Sequence, residues 1–298
     1  MDVGAATGAL TVGYNLFVLA FVLASWERVS SAPAHAALNG GVILTVLLLG
    51  RLRKARIFSL LHLWHPLALY PVLYYQTGLL NRILVPGFLD PLFLRADIAV
   101  FGTFPAVYLH RALRGPFADE FFHFAYFSYY LVIVLVALLL FRKSPGVFQR
   151  FLFQLSALFY LCYVVYVFLP VEGPLVQRGL FFHGSGLFEG IVDFLYAKGE
   201  NPGAAFPSSH VAVALLVALW GGTHFPRLRP LLLAQFVLLS TSALYCSFHY
   251  GVDIIAGVLL GAGLLVLMNR SPDLFWHGQR RRPPSNARTA RSSAPSET

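Results

Sequence analysis

Residues 206–210 read FPSSH and residues 249–253 read HYGVD, and each segment stands at the start of a long apolar run. One further apolar run separates the two segments. A chain that crosses a bilayer after the first segment and then crosses back returns to the same membrane face. The pattern therefore predicts that His210, His249 and Asp253 lie together at one lipid–water boundary.

The composition indicates a polytopic membrane protein. Of the 298 residues, 57% are hydrophobic and 12% are charged, which is about half the charge of a soluble domain. The charges lie mainly between apolar runs that are long enough to cross a bilayer as helices. The second of these runs is short, and a buried or re-entrant segment is its alternative. We predict an all-α polytopic transmembrane helical bundle with about eight spans, at residues 9–25, 36–50, 59–80, 121–141, 151–169, 208–222, 230–247 and 251–268.

The basic residues predict the orientation of this bundle. Fifteen of the 22 lysines and arginines follow the second, fourth, sixth and eighth spans, so they occupy alternate loops and the C-terminal tail. The positive-inside rule then places both termini in the cytoplasm and both histidine segments on the exoplasmic or periplasmic face of a plasma or inner membrane. Because the formal charge of +9 is distributed in this way, we expect membrane lipids as partners and no nucleic acid. Four arginines between spans three and four run against the rule: Arg82, Arg95, Arg111 and Arg114.

The segment from Asn81 to Glu120 has apolar stretches that are interrupted by charged residues, among them Arg95 and Asp97. A charge at the middle of a bilayer costs about 2.5–3.5 kcal/mol on insertion scales. We therefore expect this segment to lie along the membrane interface instead of crossing the bilayer.

The FPSSH segment has the features of a helix start. Proline is favoured in the first turn of a helix, and a serine can cap its free N–H groups. The remaining N–H groups and the helix dipole attract an anion, and a phosphate is a natural occupant. Ser208 and Ser209 are therefore candidate phosphate-binding residues. An ordinary capped membrane helix explains the same pattern.

The HYGVD segment places a histidine and an aspartate four residues apart, on one face of a helix. Asp253 can accept a hydrogen bond from one imidazole nitrogen of His249, which leaves the other nitrogen free to attack. An aspartate at the start of an apolar span is also costly unless it is paired. A structural His–Asp pair that holds two helices together is the alternative.

Together the two segments resemble the active-site motifs of the type-2 phosphatidic acid phosphatase superfamily. The shared pattern is Pro-Ser-x-His, one returning span and then His-x-x-x-Asp. The resemblance implies a six-helix phosphatase-like core and catalysis without a metal or other cofactor. It also implies that His249 forms a phosphohistidine, that Asp253 orients His249, and that His210 is the general acid and base. It is strong over about residues 165–262 and loose in the first half.

Two departures from that family concern phosphate binding. The superfamily often has Ser-Arg where this chain has Ser242 and Ala243, and its lysine-containing first motif is not visible. Residues 168–174, which read FLPVEGP, and the HYGVD segment look more like the inositolphosphorylceramide-synthase and sphingomyelin-synthase branch. A transferring phosphoryl group still needs cationic or dipolar donors. We expect Arg178 to supply them, with Lys198 as the second candidate.

The sequence therefore predicts a metal-independent integral membrane phosphatase that acts on a lipid phosphate through a phosphohistidine. Transfer of a phospho-headgroup to a second lipid is the close alternative, because water and an alcohol can attack the same intermediate. A membrane transporter lined by polar residues and a metal site built from two histidines and an aspartate are further alternatives. We expect N-terminal transmembrane helices over residues 1–58, a catalytic membrane domain over 59–269, and a disordered basic cytoplasmic tail over 270–298.

Overall fold

The computed structural model describes residues 3–184, 186–199 and 201–270. The predicted tail beyond Arg270 lies outside the described residues. Over the described ranges the fold is all-helical, as predicted, and the only extended pairing is a single bridge between Val171 and Ala204. The helices are α1 (Val3–Ala24), α2 (Ala32–Leu52), α3 (Arg56–Leu80), α4 (Asp90–Phe101), α5 (Pro105–Leu113), α6 (Pro116–Lys143), α7 (Pro145–Phe168), α8 (Leu175–Phe181), α9 (Leu187–Gly199), α10 (Ser209–His224), α11 (Arg229–Tyr245) and α12 (Gly251–Arg270).

Seven of these helices are long and apolar enough to cross a membrane, namely α1, α2, α3, α6, α7, α11 and α12. The chain is therefore an integral membrane protein with a polytopic helical bundle. The second predicted span, although short in sequence, is a helix of 21 residues. The sixth predicted span is α10, which has only 16 residues and is about 24 Å long. The hydrocarbon core of a bilayer is about 30 Å thick, so α10 alone is shorter than a typical span.

The segment between α3 and α6 folds into two helices that are bent by 66° at the break between them. The first of these, α4, contacts α12, so the segment packs against the bundle. Asp97 on α4 is completely buried in this packing. Its position relative to a membrane interface remains a prediction.

Helix α7 lies at the centre of the bundle, and two-thirds of its apolar window is buried. Its tyrosines satisfy their hydroxyl groups inside the apolar core, as buried polar groups must. Tyr163 donates to the Tyr70 carbonyl at 3.1 Å, and the Tyr70 hydroxyl meets Ser156 at 2.8 Å. At the C-terminal end of α7, Tyr166 donates to the Pro207 carbonyl at 3.0 Å. The central helix therefore holds the FPSSH segment directly.

Helices α10 and α12 approach each other closely through glycine. A Cβ atom on Gly257 would lie 2.5 Å from the Ser208 carbonyl oxygen, and one on Gly261 would lie 3.0 Å from the Ala212 carbonyl oxygen. Real Cβ atoms are not found at the shorter of these distances. The absence of side chains at the two positions therefore lets the starts of α10 and α12 lie side by side.

Candidate active site

The site forms where α10 and α12 begin. Ser208 is the N-cap of α10, and its hydroxyl oxygen accepts a bond from the Val211 N–H at 3.4 Å, which confirms the predicted cap. The Ser208 N–H donates to the Asp253 carbonyl at 3.1 Å, so the two helix starts are joined by a backbone hydrogen bond. The two motif segments, which lie far apart in the chain, therefore meet at one end of the bundle.

His249 lies between Ser208 and Asp253. Its Nε2 atom is 3.1 Å from the Ser208 hydroxyl, and its Nδ1 atom is 3.4 Å from Asp253 Oδ2. Because the Ser208 oxygen already accepts from Val211, its hydroxyl proton is available for Nε2. When the Ser208 hydroxyl donates to Nε2, the ring proton lies on Nδ1 and faces the carboxylate. The Nδ1–Oδ2 distance is long for a hydrogen bond, and such contacts often shorten only when substrate binds.

The His249 side chain is only 5% exposed. Burial lowers the pKa of this imidazole from 6.5 to about 4, against a smaller opposing interaction with the Ala205 backbone. Removing the ring from water disfavours its charged form. His249 is therefore a neutral imidazole at physiological pH, which is the form that can act as a nucleophile.

Asp253 reaches His249 through a capping contact, not through the face of a regular helix. Helix α12 begins at Gly251, so His249 precedes it. Asp253 Oδ2 accepts a bond from the Tyr250 N–H at 2.9 Å and lies 3.4 Å from His249 Nδ1. The carboxylate is completely buried. The spacing of four residues therefore brings the two side chains together, but in the geometry of a helix start.

His210 faces His249 from the first turn of α10. The two ring centroids are 6.0 Å apart, with an angle of 62° between the rings. The Nε2 atom of His210 is 3.2 Å from the Tyr126 hydroxyl on α6. Tyr126 also stacks on Phe248, the residue that precedes His249, at 4.5 Å. Tyr126 therefore contacts both of the segments that carry the histidines.

Arg178, the expected phosphate ligand, is buried beside the loop that carries His249. Its guanidinium donates to the Cys246 carbonyl at 3.0 Å and lies 4.3 Å from the centre of the Phe248 ring. It also forms an ion pair with Asp193 and lies 3.1 Å from His123 Nε2. The arginine is therefore next to the loop that carries His249 but already has several partners. Its contact with phosphate remains a prediction.

Ser209 and Lys198, the other candidate phosphate ligands, lie in different surroundings. Ser209 is the first residue of α10 and is 5% exposed, directly between Ser208 and His210. Lys198 is exposed in the last turn of α9, and no contact described for it joins it to the two histidines. Ala243, which stands where the superfamily often has arginine, is fully buried, and its carbonyl accepts from the N–H groups of Phe248 and His249.

Two carboxylates that support the site were not identified from the sequence. Asp97 accepts bonds from the N–H groups of Gly251 and Val252, both at 2.9 Å, and so caps α12. Asp90 accepts from the Tyr250 hydroxyl at 3.1 Å. The sequence did indicate that these carboxylates need partners, because a carboxylate in an apolar stretch is costly unless it is paired. The partner, a helix start more than 150 residues away, has no local signature.

Within the described ranges, no group of three or more histidine, cysteine, aspartate and glutamate side chains is arranged to hold a metal ion. The two cysteines, Cys162 and Cys246, are free and buried. The two histidine segments supply a neutral imidazole, a second imidazole facing it and a buried carboxylate.

Comparison with known proteins agrees with these motifs. A sequence profile described as the PAP2 superfamily matches residues 92–267, which is more than half of the chain. A segment of 56 residues is 43% identical to the inositol phosphorylceramide synthase catalytic subunit of Saccharomyces cerevisiae. That segment covers 19% of this chain and 14% of the yeast protein. No solved structure matches.

Proposed function

Because the chain belongs to the PAP2 superfamily, we propose that it is a metal-independent membrane enzyme that acts on a lipid phosphate. In this proposal, the reaction proceeds through a phosphohistidine on His249. The observation that carries this proposal is the geometry of the two histidines. Their rings are 6.0 Å apart, and one of them is held between a hydroxyl group and a carboxylate. A phosphoryl group bound between the rings contacts a nucleophile on one side and a proton donor on the other.

In the first step, the Nε2 lone pair of His249 attacks the phosphorus atom. An N–P bond forms while the P–O bond to the lipid alcohol breaks. His210, in its protonated form, donates a proton to the departing oxygen, so the lipid leaves as a neutral alcohol. Asp253 holds the Nδ1–H group and stabilises the positive charge that develops on the His249 ring.

In the second step, His210 removes a proton from an incoming hydroxyl group, and the oxygen of that group attacks the phosphohistidine. The N–P bond breaks and neutral His249 is restored. If the incoming molecule is water, inorganic phosphate is released. The phosphoryl oxygens need cationic or dipolar donors throughout. We assign that role to the start of α10 at Ser208 and Ser209, to Arg178 and, less directly, to Lys198.

Headgroup transfer is the second candidate function, and two observations favour it. The matched segment of the yeast relative belongs to an inositol phosphorylceramide synthase subunit. His249 and Asp253 are almost completely buried, which limits the access of water to the intermediate. In this version, a lipid phosphodiester is attacked and the phospho-headgroup passes to the hydroxyl of a second lipid.

The test is phosphate release by the purified full chain in detergent with a chelator present. The substrates are phosphatidic acid, lysophosphatidic acid and a polyprenyl pyrophosphate. We expect release by the wild type and a loss of at least about 10²-fold for His249→Ala and His210→Ala. His224→Ala is the matched control, because this ring stacks on Trp220 at the other end of α10. It should retain activity.

A lipid labelled with ³²P separates the two functions and tests the intermediate. Acid-labile label should appear on the wild type, form more slowly on His210→Ala, and be absent from His249→Ala. If label moves to an added acceptor lipid and no labelled inorganic phosphate is released, the enzyme is a transferase. Loss of activity in chelator with rescue by metal would contradict the proposed mechanism.

A further inference from the structure

The acidic residues of the described ranges all lie at one end of the bundle, whereas basic residues occur at both ends. We call the end where α10 and α12 begin the site end, and the end where α6 meets α7 the far end. Every acidic residue in the described ranges lies at the site end: Glu27, Asp90, Asp97, Asp119, Glu120, Glu172, Glu189, Asp193 and Asp253. The far end instead carries Arg51, Arg53, Lys54, Arg56, Arg142, Lys143, Arg150, Arg227, Arg229 and Arg270.

A cavity of about 270 Å³ opens within the far end. It lies between the starts of α1, α3 and α7 and the end of α6, and the loop from α2 to α3 borders it. Helix α7 is 24 residues long, about 36 Å, and its other end adjoins the catalytic residues. The cavity is therefore separate from the proposed active site.

The polar lining of this cavity is suited to an anion. Arg53 supplies a guanidinium group, which binds phosphate well, and the other polar members are Thr7, Ser59, His62 and Gln149. All five side chains carry hydrogen-bond donors, of which the Thr7 hydroxyl already donates to the Val3 carbonyl at 3.1 Å, and no carboxylate is among the lining residues. A polar cavity with a guanidinium group and without acidic residues favours an anion over a cation.

Two glycines, Gly8 and Gly50, leave room for the His62 ring at this cavity. A Cβ atom on Gly8 would lie 3.3 Å from His62 Cε1, and a Cβ atom on Gly50 would lie 3.7 Å from the same atom. The imidazole therefore fills the space that larger residues on α1 and α2 would occupy. The remaining wall includes Leu60, Leu63 and Leu152, so apolar surface adjoins the polar lining.

We propose that this cavity binds the phosphate of an anionic phospholipid in the leaflet opposite to the catalytic histidines. Basic pockets between membrane helices are known sites for anionic headgroups. The polar lining would take the phosphate, and the leucines would take the first part of the lipid tails. This binding does not depend on phosphoryl transfer, so it is expected to survive His249→Ala.

The test counts lipids bound to the purified full chain by native mass spectrometry. Phosphatidylglycerol and phosphatidylcholine with the same tails are titrated separately. Arg53→Gln should weaken phosphatidylglycerol binding about tenfold, as expected when one charge-assisted contact is lost. Gln149→Glu, which places a carboxylate in the lining, should weaken it at least as much. Arg227→Gln removes one exposed charge at the same end and should change binding less than twofold.

The outcomes separate the possible sources of the anion. Equal losses of lipid binding for Arg53→Gln and Arg227→Gln would mean diffuse attraction by surface charge and would overturn the proposal, as would unchanged binding in both cavity variants.

Inorganic phosphate is tested alone by its effect on the thermal unfolding temperature. If phosphate stabilises the wild type as much as the lipid does and Arg53→Gln removes that stabilisation, the cavity is a free-phosphate site, and the lipid assignment is wrong. Variants that retain wild-type phosphoryl transfer are folded and valid for the comparison.

Discussion

At the scale of single residues, the site depends on keeping His249 neutral and correctly oriented. Ser208 directs its hydroxyl toward Nε2, and Asp253 faces Nδ1. A buried carboxylate next to a buried imidazole would favour a charged pair, yet burial dominates and lowers the pKa of His249 to about 4. The proposed mechanism therefore needs no loss of a proton from His249 before the attack.

This argument predicts the protonation of His249 as a function of pH. Because its pKa is lowered, the ring stays neutral as the pH falls from 8 to about 5 and gains a proton only near pH 4. Nucleophilic activity is expected over the higher range and is lost as the pH falls through about 4. Protein labelled with ¹⁵N-histidine in detergent reports this directly, and the His249→Ala spectrum identifies the signal. A His249 signal that titrates near 6.5 would contradict the prediction.

Tyr126 shows what single-residue patterns leave out. It lies in an aromatic run of α6 that gives no functional signal, yet its hydroxyl contacts His210 and its ring stacks on Phe248.

Arg178 shows the reverse case. Its residue type suggested a phosphate ligand, and the fold surrounds it with Asp193, His123 and two phenylalanines.

At the scale of elements, the start of α12 is held from two directions. Asp97 of α4 caps its first N–H groups, and α10 packs against it through Gly257. A carboxylate at a helix N-terminus is also favoured by the helix dipole. The charged segment between α3 and α6 therefore holds the HYGVD segment in place. Its expected position at the membrane interface did not predict this role.

Gly257 provides a prediction about this packing. In Gly257→Ala, the new Cβ atom would lie 2.5 Å from the Ser208 carbonyl, so α10 and α12 must separate. Overpacking of this kind costs about 1–3 kcal/mol, and the shift also moves Ser208 away from His249. We expect a lower thermal unfolding temperature and reduced phosphoryl transfer.

The matched control for this change is Gly263→Ala on the same helix. A Cβ atom on Gly263 meets nothing within 4 Å, so both properties should remain close to those of the wild type. Equal behaviour of the two variants would mean that the close contact of α10 and α12 is not required.

At the scale of the whole molecule, the acidic residues of the described ranges are confined to one end of the bundle. Acidic groups accumulate at the site end, where they cap helices and pair with Arg178. The far end is basic, which the positive-inside rule assigns to the cytoplasm. The arginines between α3 and α6 lie at the site end and oppose this rule, so the orientation needs a direct measurement.

Cysteine labelling tests the orientation. Cys162 and Cys246 are both fully buried, so the background from native thiols is low. His183→Cys lies on an exposed position at the site end, and Gly146→Cys is exposed at the far end. In intact cells, a membrane-impermeant maleimide should label the first variant and label the second only after permeabilisation. The reverse pattern would place the proposed active site in the cytoplasm.

Local patterns were sufficient to predict the helical class, the approximate spans and the meeting of two distant histidine segments. Hydropathy and helix length report on each segment separately, and an even number of crossings returns the chain to the same end. The path of α4 against α12, the contact of Tyr126 with His210 and the partners of Arg178 followed only from tertiary packing. These contacts join side chains that lie far apart in the chain, and such pairs have no periodicity or spacing by which a sequence could reveal them.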